Sequence, residues 1–298
     1  MTKYAPIVLF VYNRLWHTQQ TIEALGNNKL ATESDLFIYA DGAMQENDKK
    51  VEEVRNYIKT ITGFKSVKII ERDKNWGLAD NIIDGVTTII KKYGIIIVLE
   101  DDIVTSSGFL KYMNDALTLY ANEEKVGCIH AWNYNLKIRK YKETTFFLPG
   151  ADCWGWATWR RSWELFDSES TKLLQKIIDR KVEYSFNRRG TMPFVQMLKD
   201  QISGKNDSWA IRWHASLFLE NKFCLHPVNS LVENIGMDGT GTHCDDVQIP
   251  QKMGGKIQLK KIPVSESEWF YSEFEAIQGK PKTLKKSIWQ RLLNFLRN

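Results

Sequence analysis

The amino-acid sequence predicts an α/β fold in which a mixed, mostly parallel sheet carries helices on both faces. Continuous apolar runs, typical of buried strands, alternate with segments of helical periodicity through the first half of the chain. Sequential strands of such βαβα units are parallel because each helix crosses back over the sheet. The hydrophobic fraction of 43% and the charged fraction of 26% are ordinary for a globular enzyme of 298 residues.

Each element follows from a local pattern. Apolar runs predict strands at 6–12, 35–40, 67–71, 95–99, 126–131 and 144–148. Helical spacing predicts helices at 16–25, 45–62, 78–93 and 108–120. From Asp152 onward the pattern changes to aromatic-rich helices and turns, and residues 223–232 are typical of paired short strands that lead into a Gly-rich loop. We therefore expect one domain at 1–265, with a nucleotide-binding half (1–135) and an acceptor half (136–265) that share one sheet.

Positive charge is concentrated at the C-terminal end of the chain. Residues 280–298 carry six Lys or Arg and no acid, so the rest of the chain has a net charge of −1, against +5 for the whole. A nearly neutral body argues against nucleic acid as a partner. In the tail at 266–298, residues 280–298 place Leu284, Ile288, Leu292, Phe295 and Leu296 near one helical face. This pattern favours a helix on an anionic membrane surface, and the alternative is a terminal helix docked on protein.

The remaining composition indicates a cytoplasmic protein. The four cysteines show no CxxC spacing and no Cys/His cluster, which favours reduced, mostly buried thiols rather than zinc ligands. The N-terminal apolar run is too short for a signal peptide, and no run approaches the roughly 20 residues of a membrane-spanning helix. Residues 280–298 are thus the segment expected to contact the cytoplasmic face of the inner membrane.

Three consecutive acids, Glu100, Asp101 and Asp102, directly follow the apolar run IIIVL. Ligands of open parallel sheets bind beyond the carboxyl ends of the strands, where these acids are expected. Mutual repulsion and desolvation disfavour such a cluster unless a cation offsets its charge, and carboxylate oxygens suit Mg²⁺ or Mn²⁺. Capping of the next helix by Asp102 is the alternative, but one acid would suffice for it. The triplet therefore predicts a site for a metal ion and a diphosphate.

Other nucleotide-binding motifs are missing from the sequence. It contains no G-x-x-x-x-G-K-[ST] loop, and no G-x-G-x-x-G follows the first predicted strand. A nucleotide held by acids and a metal, rather than by a glycine-rich loop, indicates a nucleotide-sugar as the substrate.

An ordered set of motifs follows the triplet: residues 130–133 (HAWN), residues 146–150 (FFLPG) and Gly155-Trp156. In this order they resemble the inverting N-acetylglucosaminyltransferase I group of GT-A glycosyltransferases, whose members carry EDD, a small-residue-AWN element, FFPG and GW. The resemblance spans roughly residues 5–245. It implies the Rossmann-like GT-A fold, a UDP-sugar donor, Mn²⁺ or Mg²⁺ as the cofactor, and a glycan or lipid-linked glycan as the acceptor.

The resemblance also assigns donor-binding roles. Asp102 would be the metal ligand, Asp101 would contact the ribose, and Glu100 would lie beside the ribose or the donor sugar. Arg14 would line the nucleotide pocket, and Asp41 would read the uracil, although Asp41-Gly42 is also a simple tight-turn sequence. Residues predicted to complete the donor site are Asn81 in the stretch 75–81, Trp156, and Thr240, Thr242 and His243 of the Gly-rich loop.

Inverting transfer needs a carboxylate that takes the proton of the acceptor hydroxyl. The family uses an Asp in a D-x-W element, which Asp207-Ser208-Trp209 matches, so Asp207 is the predicted general base. The mammalian pattern has two adjacent acids here, and Ser208 occupies one of those places. Asp207 as a helix N-cap is the alternative reading.

These observations favour a metal-dependent glycosyltransferase of bacterial capsule, lipopolysaccharide or O-antigen synthesis. A sugar-phosphate nucleotidyltransferase is the first alternative, although residues 12–16 lack the Gly-rich loop that such enzymes carry after the first strand. A non-catalytic glycan-binding module is the second, but such a module would not need the acidic triplet together with the D-x-W element.

Overall fold

The computed structural model describes residues 3–46, 48–136, 141–239 and 253–278. Its main feature is an eight-stranded sheet with the strand order β3-β2-β1-β4-β8-β6-β9-β7. The strands are β1 (Ile7–Val11), β2 (Asp35–Ala40), β3 (Ser66–Glu71), β4 (Ile95–Glu100), β6 (Val126–His130), β7 (Thr145–Pro149), β8 (Trp156–Trp159) and β9 (Phe223–Pro227). Two short antiparallel strands form a second sheet, β5 (Ile103–Thr105) and β10 (Val232–Asn234).

The large sheet is mixed, and its first four strands are parallel. In the order given, β3, β2, β1 and β4 run parallel, β8 is antiparallel to both β4 and β6, and β9 is parallel to β6 and antiparallel to β7. Four of the seven neighbouring pairs among these described strands are therefore parallel. The predicted α/β class with a mostly parallel sheet is confirmed.

Ten α-helices and one short 3-10 helix (Ala31–Glu33) lie in the described residues. The α-helices are α1 (Leu15–Gly26), α2 (Lys49–Ile58), α3 (Leu78–Tyr93), α4 (Phe109–Leu119), α5 (Arg160–Trp163), α6 (Ser170–Asp179), α7 (Glu183–Phe186), α8 (Phe194–Ile202), α9 (Trp209–Leu219) and α10 (Glu268–Gln278). None of them, within the part of the chain that is described, has the length and apolar character that a bilayer span requires.

Helices cover both faces of the sheet, as β8 shows. Trp156 and Trp159 point to opposite faces because side chains alternate along a strand. Trp156 stacks on Trp209 of α9, with ring centroids 5.4 Å apart. On the other face, the indole N–H of Trp159 donates to the carbonyl oxygen of Leu117 in α4 at 3.2 Å.

Two parts of the C-terminal half differ from the sequence-based expectation. Residues 156–159 were expected in a helical region, but they form β8, whose WATW sequence is too short to show a period. The two strands that begin in the segment 223–232 do not pair with each other: β9 joins the large sheet, whereas β10 pairs with β5. The helix α10 buries Phe270 in the core, so the folded domain continues past residue 265.

Candidate active site

The carboxyl ends of four parallel strands define the candidate site. Register pairs Phe10 of β1 with Glu100 of β4, and Val11 with Ala40 of β2. The residues that follow each strand therefore meet at one edge of the sheet, where ligands of such folds bind. The N-cap residue of α1, Arg14, follows β1, and the acidic triplet ends β4.

The acidic triplet holds more negative charge than the protein neutralises. Asp101 and Asp102 are each only 5% exposed. Burial, together with Asp102 and Asp101, raises the pKa of Glu100 to about 8, and Arg14 opposes this rise. Burial also raises the pKa of Asp101, against the effect of Arg14. A group of oxygen ligands with unbalanced negative charge fits a divalent metal ion such as Mg²⁺ or Mn²⁺.

Arg14 is the cation that the protein itself supplies to this cluster. Its Nη2 donates to Asp102 Oδ2 at 2.7 Å and also to Asp101 Oδ1. The backbone of Arg14 is fixed because its carbonyl oxygen accepts from the Thr18 N–H at 3.0 Å and from the Thr18 hydroxyl at 2.9 Å. The Arg14 side chain therefore extends from the turn after β1 to the carboxylates that follow β4.

The segment after β10 lies directly against the triplet. The N–H of Ile235 donates to the carbonyl oxygen of Asp102 at 2.9 Å. A Cβ at Gly236 would overlap Asp102 Oδ2 and would lie 2.8 Å from Arg14 Nη1, so only glycine fits there. Asp238 Oδ2 lies 3.0 Å from His17 Nε2 on α1. The start of the predicted donor loop is therefore in place, whereas Thr240, Thr242 and His243 lie outside the described residues.

Asp41 anchors a loop at the end of β2. Its Oδ1 accepts from the N–H groups of Gly42 and Trp76, both at 2.8 Å. Its Oδ2 accepts from the Gly77 N–H at 3.0 Å and from Asn75 Nδ2 at 3.3 Å. Asp41 therefore has a structural role, as the tight-turn alternative expects, because its carboxylate holds residues 75–77 in place. A uracil N–H would have to share an oxygen that already accepts two hydrogen bonds.

Asn81 acts in this structure through Arg72, which follows β3. Asn81 is 2% exposed, and its Oδ1 accepts from Arg72 Nε at 2.9 Å. The Arg72 guanidinium carbon lies 3.9 Å from the ring centroid of Trp76 and 4.9 Å from that of Tyr39. Arg72 was not predicted as a site residue, although it directly follows a predicted strand. Asn81 thus positions Arg72 and has almost no exposed surface of its own.

Asp207 lies just before α9, with its carboxylate 70% exposed. Its Oδ1 accepts from Arg212 Nη2 at 3.2 Å. The helix N-cap is Ser208, whose hydroxyl accepts from the Ile211 N–H at 3.3 Å, so Asp207 is not the cap. The carboxylate is therefore accessible and oriented by an arginine, as a general base needs to be.

The predicted donor contact Trp156 lies in the core. Its exposure is 0%, and its ring packs among the rings of Trp163, Trp209 and Trp213. The aromatic cluster binds α5 and α9 to β8, and it leaves Trp156 no surface for a sugar in this structure. Other tryptophans are buried as well, namely Trp132, Trp154, Trp159, Trp163, Trp209 and Trp213.

A buried polar cluster lies beside the triplet. Among the described residues, His130, Asp152 and His226 form a set of potential ligand atoms within 4.8 Å of one another, which could hold a metal ion. The two imidazole Nδ1 atoms lie 3.2 Å apart, and the Trp154 N–H donates to His130 Nε2 at 3.1 Å. Burial lowers the pKa of His130 to about 4, so the ring is neutral.

Arg188 supplies the positive charge of this cluster. It is 1% exposed, its Nη2 lies 3.6 Å from Asp152 Oδ2, and its Nη1 donates to the Tyr134 hydroxyl, which in turn donates to Asp152. Although burial alone would raise it, His130 and Arg188 lower the pKa of Asp152. This cluster has one guanidinium for one carboxylate, whereas the triplet has one guanidinium for three, so the triplet is the better place for a divalent metal. No local pattern in the sequence links Arg188 to Asp152.

Solved structures with a similar chain trace share little sequence with this protein. The mannosyltransferase PcManGT from Pyrobaculum calidifontis, in complex with GDP-Man and Mn²⁺, has a TM-score of 0.39 at 10% identity, over 74% of this chain and 70% of that one. TarS from S. aureus has a TM-score of 0.31 at 15% identity, over 49% of this chain and 25% of that one. This chain therefore spans a quarter of the length of TarS, and scores this low support no argument. A search of the curated proteins finds no match.

The family comparison is more informative. The model of the GNT-I family matches residues 2–169, which are 168 of the 298 residues and thus more than half of the chain. The matched stretch contains Arg14, Asp41, the acidic triplet and the three motifs that follow it. The chain belongs to the GNT-I family, and it is a glycosyltransferase of the GT-A type.

Proposed function

We propose that this glycosyltransferase moves a hexose or an N-acetylhexosamine from a UDP-sugar to a glycan or lipid-linked glycan, with inversion and with Mn²⁺ or Mg²⁺ as cofactor. One observation supports it most. Asp101 and Asp102 converge on a single nitrogen of Arg14, directly beneath Gly236. Two carboxylates that contact the same positively charged atom, at the ligand-binding edge of the sheet, are suited to hold a metal ion that binds a diphosphate.

The chain's own groups would position the donor. Asp102 would hold the metal ion, Asp101 would accept from the ribose hydroxyls, and Arg14 would face the nucleotide. When bound, the metal supplies positive charge that stabilises the leaving diphosphate. Residues 235–238 would cover the diphosphate, with Thr240, Thr242 and His243 contributed by the rest of the loop. Such closure excludes water, which would otherwise hydrolyse the sugar.

Asp207 would act as the general base. Its exposed carboxylate would take the proton from the acceptor hydroxyl as that oxygen attacks the anomeric carbon from the face opposite the diphosphate. Arg212 would orient the carboxylate by its hydrogen bond to Oδ1. Asp207 lies just before α9, which packs through Trp209 on Trp156, and Trp156 pairs with Val98 of β4. These contacts support a fixed position of the base relative to the strand that leads into the triplet.

The cellular role is the synthesis of a bacterial capsule, lipopolysaccharide or O-antigen on the cytoplasmic face of the inner membrane. The basic, amphipathic pattern of residues 280–298 supports attachment to anionic lipids. The full chain should sediment with phosphatidylglycerol vesicles and not with phosphatidylcholine vesicles, and the difference should disappear in high salt. Equal sedimentation with both would remove the electrostatic part of this proposal.

The donor class is tested by thermal unfolding with UDP-, GDP- and CMP-sugars, each with Mn²⁺ or with EDTA. The melting temperature should rise with a UDP-sugar and Mn²⁺ together, and Asp102→Asn should abolish this rise. Asp115→Asn is a matched control, because Asp115 lies on the exposed side of α4 in a pair with Lys111. If no nucleotide-sugar shifts the wild-type protein under any condition, the proposed function is wrong.

A further inference from the structure

The hydrogen bonds of Arg14 to the triplet have an unusual form. An arginine that pairs stably with a carboxylate usually presents two nitrogens to the two oxygens of one group. Arg14 instead uses the single Nη2 to contact one oxygen of Asp101 and one oxygen of Asp102. One cationic atom that bridges two carboxylates of neighbouring residues resembles a metal ion more closely than a salt-bridge fork.

We infer that Arg14 is an exchangeable counter-ion, which neutralises Asp101 and Asp102 without metal and gives up Asp102 when a divalent cation binds. This inference rests on the proposed function and deepens it, because it describes how the metal gains access to its ligand. The released guanidinium then interacts with the diphosphate of the donor. Arg14 is therefore a positioning residue that competes with the metal in the free protein and assists the nucleotide in the complex.

The surroundings of Asp102 make this competition unavoidable. Its side chain is 7% exposed, and Gly236 lies against both Oδ2 and Arg14 Nη1. The carbonyl oxygen of Asp102 is also fixed by the Ile235 N–H. Asp102 Oδ2 already accepts from Arg14 Nη2 at 2.7 Å, and the positive guanidinium would repel a divalent cation placed on the same oxygen. A metal that ligates Oδ2 must displace the guanidinium.

The same geometry shows what can move. The backbone of Arg14 is held by Thr18, so the exchange is a side-chain rotation about a fixed Cα. The segment that closes over Arg14 starts at β10 and is attached to α1 by the contact between His17 and Asp238. A Cβ at Gly236 would meet both Asp102 Oδ2 and Arg14 Nη1, so rotation of Arg14 away from Asp102 changes the packing of residues 235–238.

Loss of the Arg14 guanidinium should strengthen the binding of Mn²⁺ and weaken the binding of UDP. Without nucleotide, Arg14→Gln should bind Mn²⁺ about fivefold or more tightly than the wild-type protein, because no guanidinium competes for Asp102. With saturating Mn²⁺, the same variant should bind UDP about tenfold or more weakly, because the diphosphate loses a cation. Arg14→Lys should lie between the two. Free Mn²⁺ is counted by electron paramagnetic resonance, and UDP binding is measured by titration calorimetry.

Matched variants separate this role from a structural one. Arg160→Gln removes an equally large cation from an exposed pair with Glu164, and it should leave both constants unchanged. Thermal unfolding in EDTA shows whether Arg14→Gln is folded. If it is destabilised, Mn²⁺ alone should raise its melting temperature by more than it raises that of the wild-type protein. If Arg14 and Asp102 form a fixed structural ion pair, Arg14→Gln should instead weaken the binding of both Mn²⁺ and UDP.

The outcomes also separate this inference from the proposed function. If wild-type protein binds Mn²⁺ only with UDP, while Arg14→Gln binds Mn²⁺ alone, both stand. If the wild-type protein binds Mn²⁺ and UDP but Arg14→Gln shows equal or weaker Mn²⁺ affinity, the counter-ion exchange is wrong and the proposed function stands. If neither protein binds Mn²⁺, with or without UDP, both fail.

Discussion

The carboxylate of Asp41 accepts the backbone N–H of Trp76 at 2.8 Å, and this bond joins the end of β2 to the loop between β3 and α3. Three further donors to the same carboxylate make it the anchor of that loop. Arg72 stacks on the ring of Trp76, and Asn81 and Asp84 also bind its guanidinium. Asp41 therefore controls the shape of this loop, and with it the position of the Trp76 ring, through the backbone.

Asp41→Ala should lower the free energy of unfolding by about 2–4 kcal/mol, because buried N–H groups lose their acceptor. It should also weaken UDP binding, since Trp76 and Arg72 lose their support. Urea denaturation and titration calorimetry measure the two effects. Asp73→Asn is the matched control: Asp73 is exposed in the same loop and meets Trp76 Nε1 only at 3.4 Å. Equal effects of the two variants would refute the anchoring role.

Gly236→Ala should impair donor binding without unfolding the protein. The new Cβ would overlap Asp102 Oδ2, so the segment after β10 would have to move away from the triplet. We expect at least a tenfold loss of metal-dependent UDP affinity, with a change below about 1 kcal/mol in the free energy of unfolding. Gly26→Ala is the control, because no atom lies within 4 Å of a Cβ there. Normal UDP affinity of Gly236→Ala would contradict the described position of this segment.

Asp207→Asn should separate binding from chemistry. The variant keeps the size of the side chain but cannot take a proton, so kcat should fall by about 10²–10⁴ while the UDP-sugar affinity stays within twofold. Asp179→Asn, at the exposed end of α6, controls for the loss of a surface charge. Single-turnover transfer with a radiolabelled donor measures the rate. If Asp207→Asn keeps a normal kcat, another group is the base.

Arg188 and Asp152 should show strong energetic coupling. Arg188→Met leaves the buried Asp152 carboxylate without its cation, and a loss of about 3–5 kcal/mol in the free energy of unfolding is expected. The double variant with Asp152→Asn should lose less than the sum of the single variants, because the second change removes the charge that the first left unpaired. Chemical denaturation of the four proteins gives the coupling energy. Simple additivity would show that the two side chains do not interact.

Buried histidines predict that acid destabilises the fold. Burial lowers the pKa of His130 and of His214 to about 4 in the folded protein, below the unfolded value of 6.5. Between these values the unfolded state binds more protons, so stability is complete above pH 6.5 and falls toward pH 4, by about 1.4 kcal/mol per pH unit for each ring. The difference between the pH dependence of stability of the wild-type protein and that of His214→Gln reports the His214 ring alone, because carboxylates that titrate in the same pH range contribute to both. Identical pH slopes would contradict this assignment.

The donor half of the fold could be predicted because each of its elements has its own pattern. The run IIIVL before three acids indicates both a buried strand and a site, and β4 ends at Glu100. The acceptor half could be predicted only in part: the strand expected at 144–148 is β7, but β8 has four residues and its role depends on β4 and β6, which flank it. The contact between Arg14 and Asp102 joins residues 88 apart in sequence, and no local pattern encodes it. Trp156 was assigned to the donor site from the resemblance alone, and its burial depends on contacts with Trp209 and Trp213 that no local pattern encodes.

The position of β9 has a consequence for how the protein is made. This strand, from Phe223 to Pro227, lies between β6 and β7, so until it is made β6 is paired only with β8, and β7 has no neighbour in the sheet. On the ribosome, the exposed edges of β6 and β7 must wait for about 75 further residues, a delay of several seconds at ordinary synthesis rates. The edge of the sheet that carries the acidic triplet can form before β9 is made, whereas the other side of the sheet is completed only afterwards. Chaperones that shield open strand edges are therefore expected to act on this chain before β9 emerges.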